Sequence, residues 1–340
     1  MSSARKLLLS AGVLALAVLV PEACLRLAGY ERAGGVRFGY PDPQTMTTFQ
    51  PDELLFWRLK RGGRPDVAGN SRGFPGPDPA IPKPADVYRA VFLGDSCTFQ
   101  GFPFVAEAEM RRLSIPPGLR AEAVSLAVPG YTSLQGRRAA EAYGKELQPD
   151  VVFVYFGWND HWRAYGEIDS RKVLRLPRGA LAKLAAYVTE RSRLAQAAGA
   201  LFAGLSSPDE PLAETRVLPE EYRANLTAIA EVFRGGPAPV VLVTAPTSFY
   251  RLGVPRRLVA DGFAASAEDA IRLHRQYNGI AREVAAATGS LLLDLEAECD
   301  AAPDLPSRFL ADGVHFSPAG RQWLGGRIAE YVRGEVLRPR

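Results

Sequence analysis

Hydrophobic and polar positions along the chain fall into short, almost unbroken apolar runs separated by longer stretches of helical period. The runs are "YRAVFLG" (Tyr88 to Gly94), "AEAVSLAV" (Ala121 to Val128), "DVVFVYFG" (Asp150 to Gly157), "APVVLVTAP" (Ala238 to Pro246) and "SLLLDL" (Ser290 to Leu295). An apolar run of this length predicts a strand covered on both faces, because neither face is left to meet water. Between and after them, Phe102 to Leu113, Ser133 to Leu147, Glu268 to Thr288 and Pro318 to Arg333 read as helices. The alternation predicts an α/β fold with a mostly parallel sheet.

Two regions stand outside the alternation. At the N-terminus, Arg5 and Lys6 precede the apolar run "LLLSAGVLALAVLV" (Leu7 to Val20), which Pro21 and Glu22 interrupt. Positive charge ahead of an apolar run addresses a chain to a membrane, and the length lies between a signal peptide and a full span of about 20 residues. The reading favoured is an uncleaved anchor over residues 1–28. A cleaved signal and a buried N-terminal helix are the alternatives. Lipid modification at Cys24 is disfavoured, since Pro21 and Glu22 stand where apolar and small residues would be wanted. Residues 29–85, rich in Pro, Gly and Arg and with the turn cluster "NSRGFPG" (Asn70 to Gly76), read as an extended segment that wraps the folded part or links it to the membrane.

The folded part then covers 86–340, with an insert from His161 to about Pro219. From His161 to Gly204 the insert holds eight Lys or Arg against three Asp or Glu, an excess larger than the whole chain's net +4. Its stretch "ALAKLAAYVTERSRLAQAAGALF" places Leu181, Leu184, Ala185, Val188 and Ala195 at helical spacing. That predicts an amphipathic helix packed on the core with a solvated basic face, or else a lid or a surface for an anionic lipid or polymer.

Composition narrows the function classes. With 340 residues, 47% of them hydrophobic, the chain can bury a sizeable core, and 41 basic against 37 acidic residues is no footprint of nucleic-acid binding. Cys24, Cys97 and Cys299 show neither metal-ligand spacing nor a disulfide framework, and a Cys97–Cys299 pair is left open. Histidine is scarce: His161, His274 and His315. No signal points to an oligomeric state.

Open α/β sheets place their sites at the carboxyl ends of strands, so the residues just after each run are the ones to carry chemistry. The first run delivers Gly94, Asp95 and Ser96 in "VFLGDSCTFQGF". The second delivers "AVPGYTS" with Gly130, and the third "GWND" with Asn159. After the last comes "FLADGVHFSPAG", with Asp312 three residues before His315. Each block alone has a plain structural reading as turn and cap residues.

In this order the four blocks resemble the SGNH hydrolases, also called the GDSL family, over roughly Tyr88 to Val332. The resemblance extends to "CTFQGF", "NSRGF" and "VPGYTSLQG" and to the N-terminal anchor, which together are similar to membrane-anchored bacterial members. Ser125 stands where the second block often has asparagine. The resemblance implies a three-layer α/β/α sandwich of flavodoxin-like type with Ser96 as nucleophile, His315 as general base and Asp312 orienting the imidazole. It further implies an oxyanion hole from the backbone N–H groups of Ser96 and Gly130 and the Asn159 amide. No metal or organic cofactor is required by that chemistry.

Trp158, Asp160 and His161 flank Asn159 and are candidates for substrate contact, with packing or turn support as the alternative. Asp95 is expected to hold its turn, His274 to be a helix residue outside catalysis, and Cys97, a rival nucleophile in principle, to be a small buried side chain.

The implied activity is ester hydrolysis outside the cytoplasm, on the periplasmic face of a bacterial envelope. The substrate would be an acylated small molecule, glycan or lipid, with O-acetyl groups of an envelope or exported polysaccharide as the leading expectation. An O-acyltransferase using the same three residues, a non-catalytic carbohydrate-binding or assembly protein, and a lipase or lysophospholipase are the alternatives. No nucleic-acid partner is expected.

Overall fold

The computed structural model describes residues 3–30, 36–37, 40–41, 48–62, 68–205 and 211–338. Five strands, β1 (Val87–Gly94), β2 (Arg120–Ser125), β3 (Val151–Tyr155), β4 (Val240–Val243) and β5 (Leu291–Leu293), form one sheet in the order β5-β4-β3-β1-β2. Every neighbouring pair is parallel. All residues of β1 and β3 are buried, as their unbroken apolar runs require. Alternate residues feed two cores: Val91 and Leu93 face one side of β1, Ala90 and Phe92 the other.

In chain order the longer helices are α1 (Ser3–Leu27), α2 (Phe102–Arg112), α3 (Ser133–Ala139), α4 (Ala180–Arg191), α5 (Arg193–Leu205), α6 (Pro219–Phe233), α7 (Ala267–Thr288) and α8 (Pro318–Tyr331). Leu134 of α3, Leu226, Ile229 and Phe233 of α6 and Tyr277 and Ile280 of α7 close the first core. Phe102, Ala106 and Met110 of α2 and Leu324 and Ile328 of α8 close the second. The result is an α/β/α sandwich, as the alternation of patterns predicts.

The sheet order also fixes where a site can form. β2 lies on one side of β1, and the chain then crosses back to place β3 on the other. The loops leaving β1 and β3 diverge above the sheet and open a crevice at their carboxyl ends. Register puts Gly94 beside Tyr155 and Phe92 beside Ser125, so the loops carrying the first three blocks leave the same edge.

Several elements depart from the sequence reading. Helix α6 has no counterpart in it, although Pro219 at the first turn and Glu220 and Glu221 behind it are helix-start chemistry. Helix α1, by contrast, is continuous through Pro21, where the apolar run is interrupted, and ends at Leu27. Its most apolar stretch of 18 residues has a mean hydropathy of 2.2 and is not buried, so by length and composition it can cross a membrane.

The segment ahead of β1 is no mere linker where it is described: Phe49–Asp52 pairs antiparallel with Phe56–Leu59, burying Trp57 and Leu59. Asn70 accepts from the N–H groups of Arg72 and Phe74, which seats Phe74 in the core.

The insert contradicts the expectation of one helix packed on the core. It breaks at Ser192, which is extended and whose hydroxyl accepts from the Ala195 N–H, so α5 starts afresh. The described side chains of α4 are exposed all round.

Candidate active site

Strand β1 ends in Gly94, where any Cβ would lie 2.1 Å from Thr98 Oγ1, so only glycine lets the chain turn this tightly. Asp95 then caps the short helix Ser96–Phe99, its carboxylate accepting from the Cys97 N–H at 2.9 Å. Ser96 is thereby lifted to the rim, half-buried, while Asp95 is fully buried. Burial pushes the Asp95 carboxyl up to about 6, against the bond from Cys97 that favours its ionised form.

The second wall comes from the far end of the chain. Asp312 Oδ1 accepts the N–H groups of Val314 and His315, each at 2.9 Å, curling the loop so that both side chains face the same way. Gln100, just after the Ser96 helix, accepts the Phe316 N–H at 3.0 Å and ties that loop to it. His315 Nδ1 lies 2.7 Å from Asp312 Oδ2, and His315 Nε2 lies 2.8 Å from Ser96 Oγ. An ionised carboxylate at Nδ1 selects the tautomer that carries its proton there, leaving Nε2 to accept from the serine hydroxyl. Burial works to lower the His315 pKa, but the Asp312 bond and charge outweigh it and hold it above 6.5. The same contact, with the two N–H groups, keeps Asp312 below the usual carboxylate value despite partial burial.

Asn159 is buried, and its amide donates to the Tyr131 carbonyl at 2.9 Å. That bond joins the turn after β3 to the loop carrying Gly130, whose φ of +84° strains any other residue. Trp158, Asp160 and His161, the candidate substrate contacts, lie beneath the surface, at most 1% exposed. Asp160 accepts from the Ser133 N–H at 2.8 Å and the Gly157 N–H at 3.1 Å, locking α3 to the Asn159 turn. Burial raises its carboxyl to about 7. His161 meets His274 of α7 at 3.1 Å, and His274 in turn reaches the Ala245 carbonyl at 2.8 Å and stacks on Trp158. Burial lowers both histidines, His274 to about 4, so this pair stays neutral and supports the turn from below.

The sequence reading missed a further support. Arg216 and Asp169, both fully buried, pair at 3.0 Å; Arg216 also donates to the Gly130 carbonyl, and Thr132 donates to Asp169. Trp57 donates to the Pro129 carbonyl and its own carbonyl accepts from Tyr131. The Gly130 loop is thus held from both ends of the insert and from the N-terminal hairpin. Cys97 and Cys299 are buried free thiols, and burial raises Cys97 well above its ordinary value, which removes it as a rival nucleophile at neutral pH.

A serine, a histidine and an aspartate in one hydrogen-bonded chain at the switch point of a parallel α/β/α sheet form an arrangement that can activate a side-chain hydroxyl. The comparisons with known proteins supply the class: the sequence model of the GDSL-like lipase/acylhydrolase family matches residues 92–323, and the chain belongs to that family of hydrolases acting on ester bonds.

Among solved structures it is similar to a lipase/acylhydrolase from Enterococcus faecalis (18% identity, covering 73% of this chain and 96% of that one, TM-score 0.47). It is also similar to a GDSL-like lipase from Bacteroides thetaiotaomicron (14%, 72% and 87%, 0.44). A third is a variant of an acetyl-xylooligosaccharide esterase from Geobacillus Stearmophilus (17%, 74% and 97%, 0.44). No curated protein gives a match.

Proposed function

We propose that this chain is a serine ester hydrolase, anchored by α1 in a bacterial envelope membrane with its catalytic domain outside the cytoplasm, that removes short O-acyl groups, acetyl above all, from a polysaccharide. The observation that carries the reading is the continuous Ser96–His315–Asp312 chain at 2.8 and 2.7 Å. Ser96 Oγ attacks the ester carbonyl as His315 Nε2 takes its proton. His315 returns that proton to the leaving alcohol oxygen, giving an acyl-Ser96, and then activates the water that releases the acid. Asp312 holds the imidazole and stabilises its charged form. The N–H groups of Ser96 and Gly130 with the Asn159 amide receive the developing oxyanion, donors that need no reorganisation because their loops are already pinned. Trp158 and Phe249, buried and packed edge-to-face at 5.4 Å, fill the space beneath the Asn159 turn.

The test is release of acetate from O-acetylated polysaccharide, set beside hydrolysis of aryl acetate and aryl octanoate. Acetate is expected to exceed octanoate by at least about tenfold in kcat/KM, the scale a filled apolar pocket can enforce. Equal rates, or a preference for octanoate, would replace this reading by a lipase. Acyl appearing on an added sugar instead of in water would replace it by a transferase.

The pH dependence is set by the His315 pKa. Because the free imidazole is the base and its pKa lies above 6.5, kcat/KM is expected to rise with pH along a limb centred above 6.5. Asp312→Asn removes the group that raises it and moves the limb to lower pH. Stability runs the other way: a folded-state pKa raised above its unfolded value contributes below about 6.5 and is lost as pH climbs through the folded value. A pH–rate profile for both proteins checks the sign, and an unmoved limb in Asp312→Asn assigns the titration to another group.

A further inference from the structure

The insert carries an unpartnered amphipathic helix and a built-in attachment to the anchor. On α4, Leu181, Leu184, Ala185 and Val188 share one face; Leu181 is 84% exposed and Leu184 57%. Lys183 stands on the opposite side. An apolar stripe of this width normally faces a core, and none of the described residues covers it here.

The junction of α4 and α5 is stapled to the last turns of α1. The Glu22 carboxylate accepts the N–H groups of Arg193 (3.1 Å) and Leu194 (2.8 Å) at the start of α5, together with the Ser192 hydroxyl. One turn later Arg26 donates to the Arg191 carbonyl at the end of α4 and pairs with Glu22. These two charged residues therefore serve both open helix ends, where N–H and C=O groups lack helical partners. The staple sits at the end of the apolar run of α1, at the level where a spanning helix leaves the hydrocarbon. Residues 171–193 hold seven Lys or Arg and one Glu.

We propose that α4 and the start of α5 lie in the interface of the bilayer that α1 crosses, with the Leu181–Leu184–Val188 face among the acyl chains and the basic side chains among anionic headgroups. The occupant is the lipid surface because the exposed apolar face belongs to a helix stapled to the end of the span and the charge along 171–193 is complementary to anionic lipid. The inference rests on the anchor reading of α1 and is independent of which ester is cleaved. Since the Asp169–Arg216 pair joins the base of the insert to the Gly130 loop, seating the insert on the membrane also sets how far the catalytic crevice stands from it.

The full chain, with Cys24→Ser to remove the exposed thiol, is to be reconstituted in phosphatidylcholine vesicles containing phosphatidylglycerol. Single cysteines at Val188→Cys, Lys183→Cys and Leu14→Cys carry an environment-sensitive fluorophore. The label at 188 is expected to shift to the blue, to lose quenching by aqueous iodide and to gain quenching by a nitroxide on the lipid, while the label at 183 stays open to iodide. A label at 188 as open to iodide as that at 183, with the label at 14 shielded by lipid, overturns the insert proposal and leaves the anchor standing. A label at 14 open to iodide overturns the anchor reading, and this proposal with it. Shielding at 188 that vanishes on diluting the protein in excess lipid identifies a second copy as the cover and also overturns it.

Discussion

Replacing Ser96 by alanine is expected to lower kcat/KM for a short aryl ester by about 10⁴-fold or more and to abolish labelling by a serine-reactive fluorophosphonate, the scale on which a nucleophile acting as one unit with its base is missed. The fold should not notice the change. Asp95, not Ser96, caps the short helix that begins there, and the lost hydroxyl is half-buried with His315 as its partner. His315→Gln is expected to fall as far. The double variant should fall no further, because removing either member disables the unit. Thermal unfolding of the variants tracks integrity, and the labelling and rates track chemistry. Labelling that survives in Ser96→Ala would mean another nucleophile, and additive losses in the double variant would mean that serine and histidine act separately.

Arg216→Met is expected to destabilise the protein by about 3 kcal/mol, the lower end for a broken buried pair, because the fully buried Asp169 loses its guanidinium but keeps Lys172 at 3.5 Å and the Thr132 hydroxyl. At this chain length that corresponds to a fall in Tm of roughly 4 °C. The Gly130 carbonyl loses a donor in the same step, so the oxyanion loop loosens and kcat should fall more than KM rises. Adding Asp169→Leu removes the buried carboxylate that has lost its guanidinium, and a large part of the lost Tm should return. The catalytic defect should persist, since the Gly130 support is still missing. Calorimetry and steady-state kinetics of the single and double variants separate the two effects. A Tm within about 2 °C of the parent in Arg216→Met would show the pair to be dispensable.

Much of this architecture is legible from local pattern. The five apolar runs are the five strands of the sheet, with ends that differ from the runs by at most three residues, because strand pairing and the apolar pattern do not stop at the same place. Ser96, Asp312 and His315 can be singled out from sequence because the four ordered blocks resemble the SGNH pattern; strand-end position alone points to Ser96, whereas two short helices separate Asp312 and His315 from the last strand. Helix α6 is equally encoded, by Pro219, Glu220 and Glu221 and by Leu226, Ile229 and Phe233, but the long insert that precedes it masks its start. Trp158, Asp160 and His161 sit beside Asn159 in sequence but beneath it in space: a one-turn helix sends neighbouring side chains in different directions.

The sequence by itself determined the α/β class, the burial of the central strands, an apolar N-terminal helix, the basic excess of the insert and the residue types able to perform acyl chemistry, because each is a property of neighbouring residues or of composition. Only the tertiary structure decided that His315 meets a serine 219 positions away, that Asp169 and Arg216 are a buried pair beneath the Gly130 loop, and that Glu22 and Arg26 staple the insert to the anchor. The physical reason is that burial and hydrogen bonding belong to pairs. An arginine in "ETRVLP" or a glutamate after "VLVP" reads as a surface charge until the fold brings its partner to hydrogen-bonding distance, and no local period records which distant group that will be.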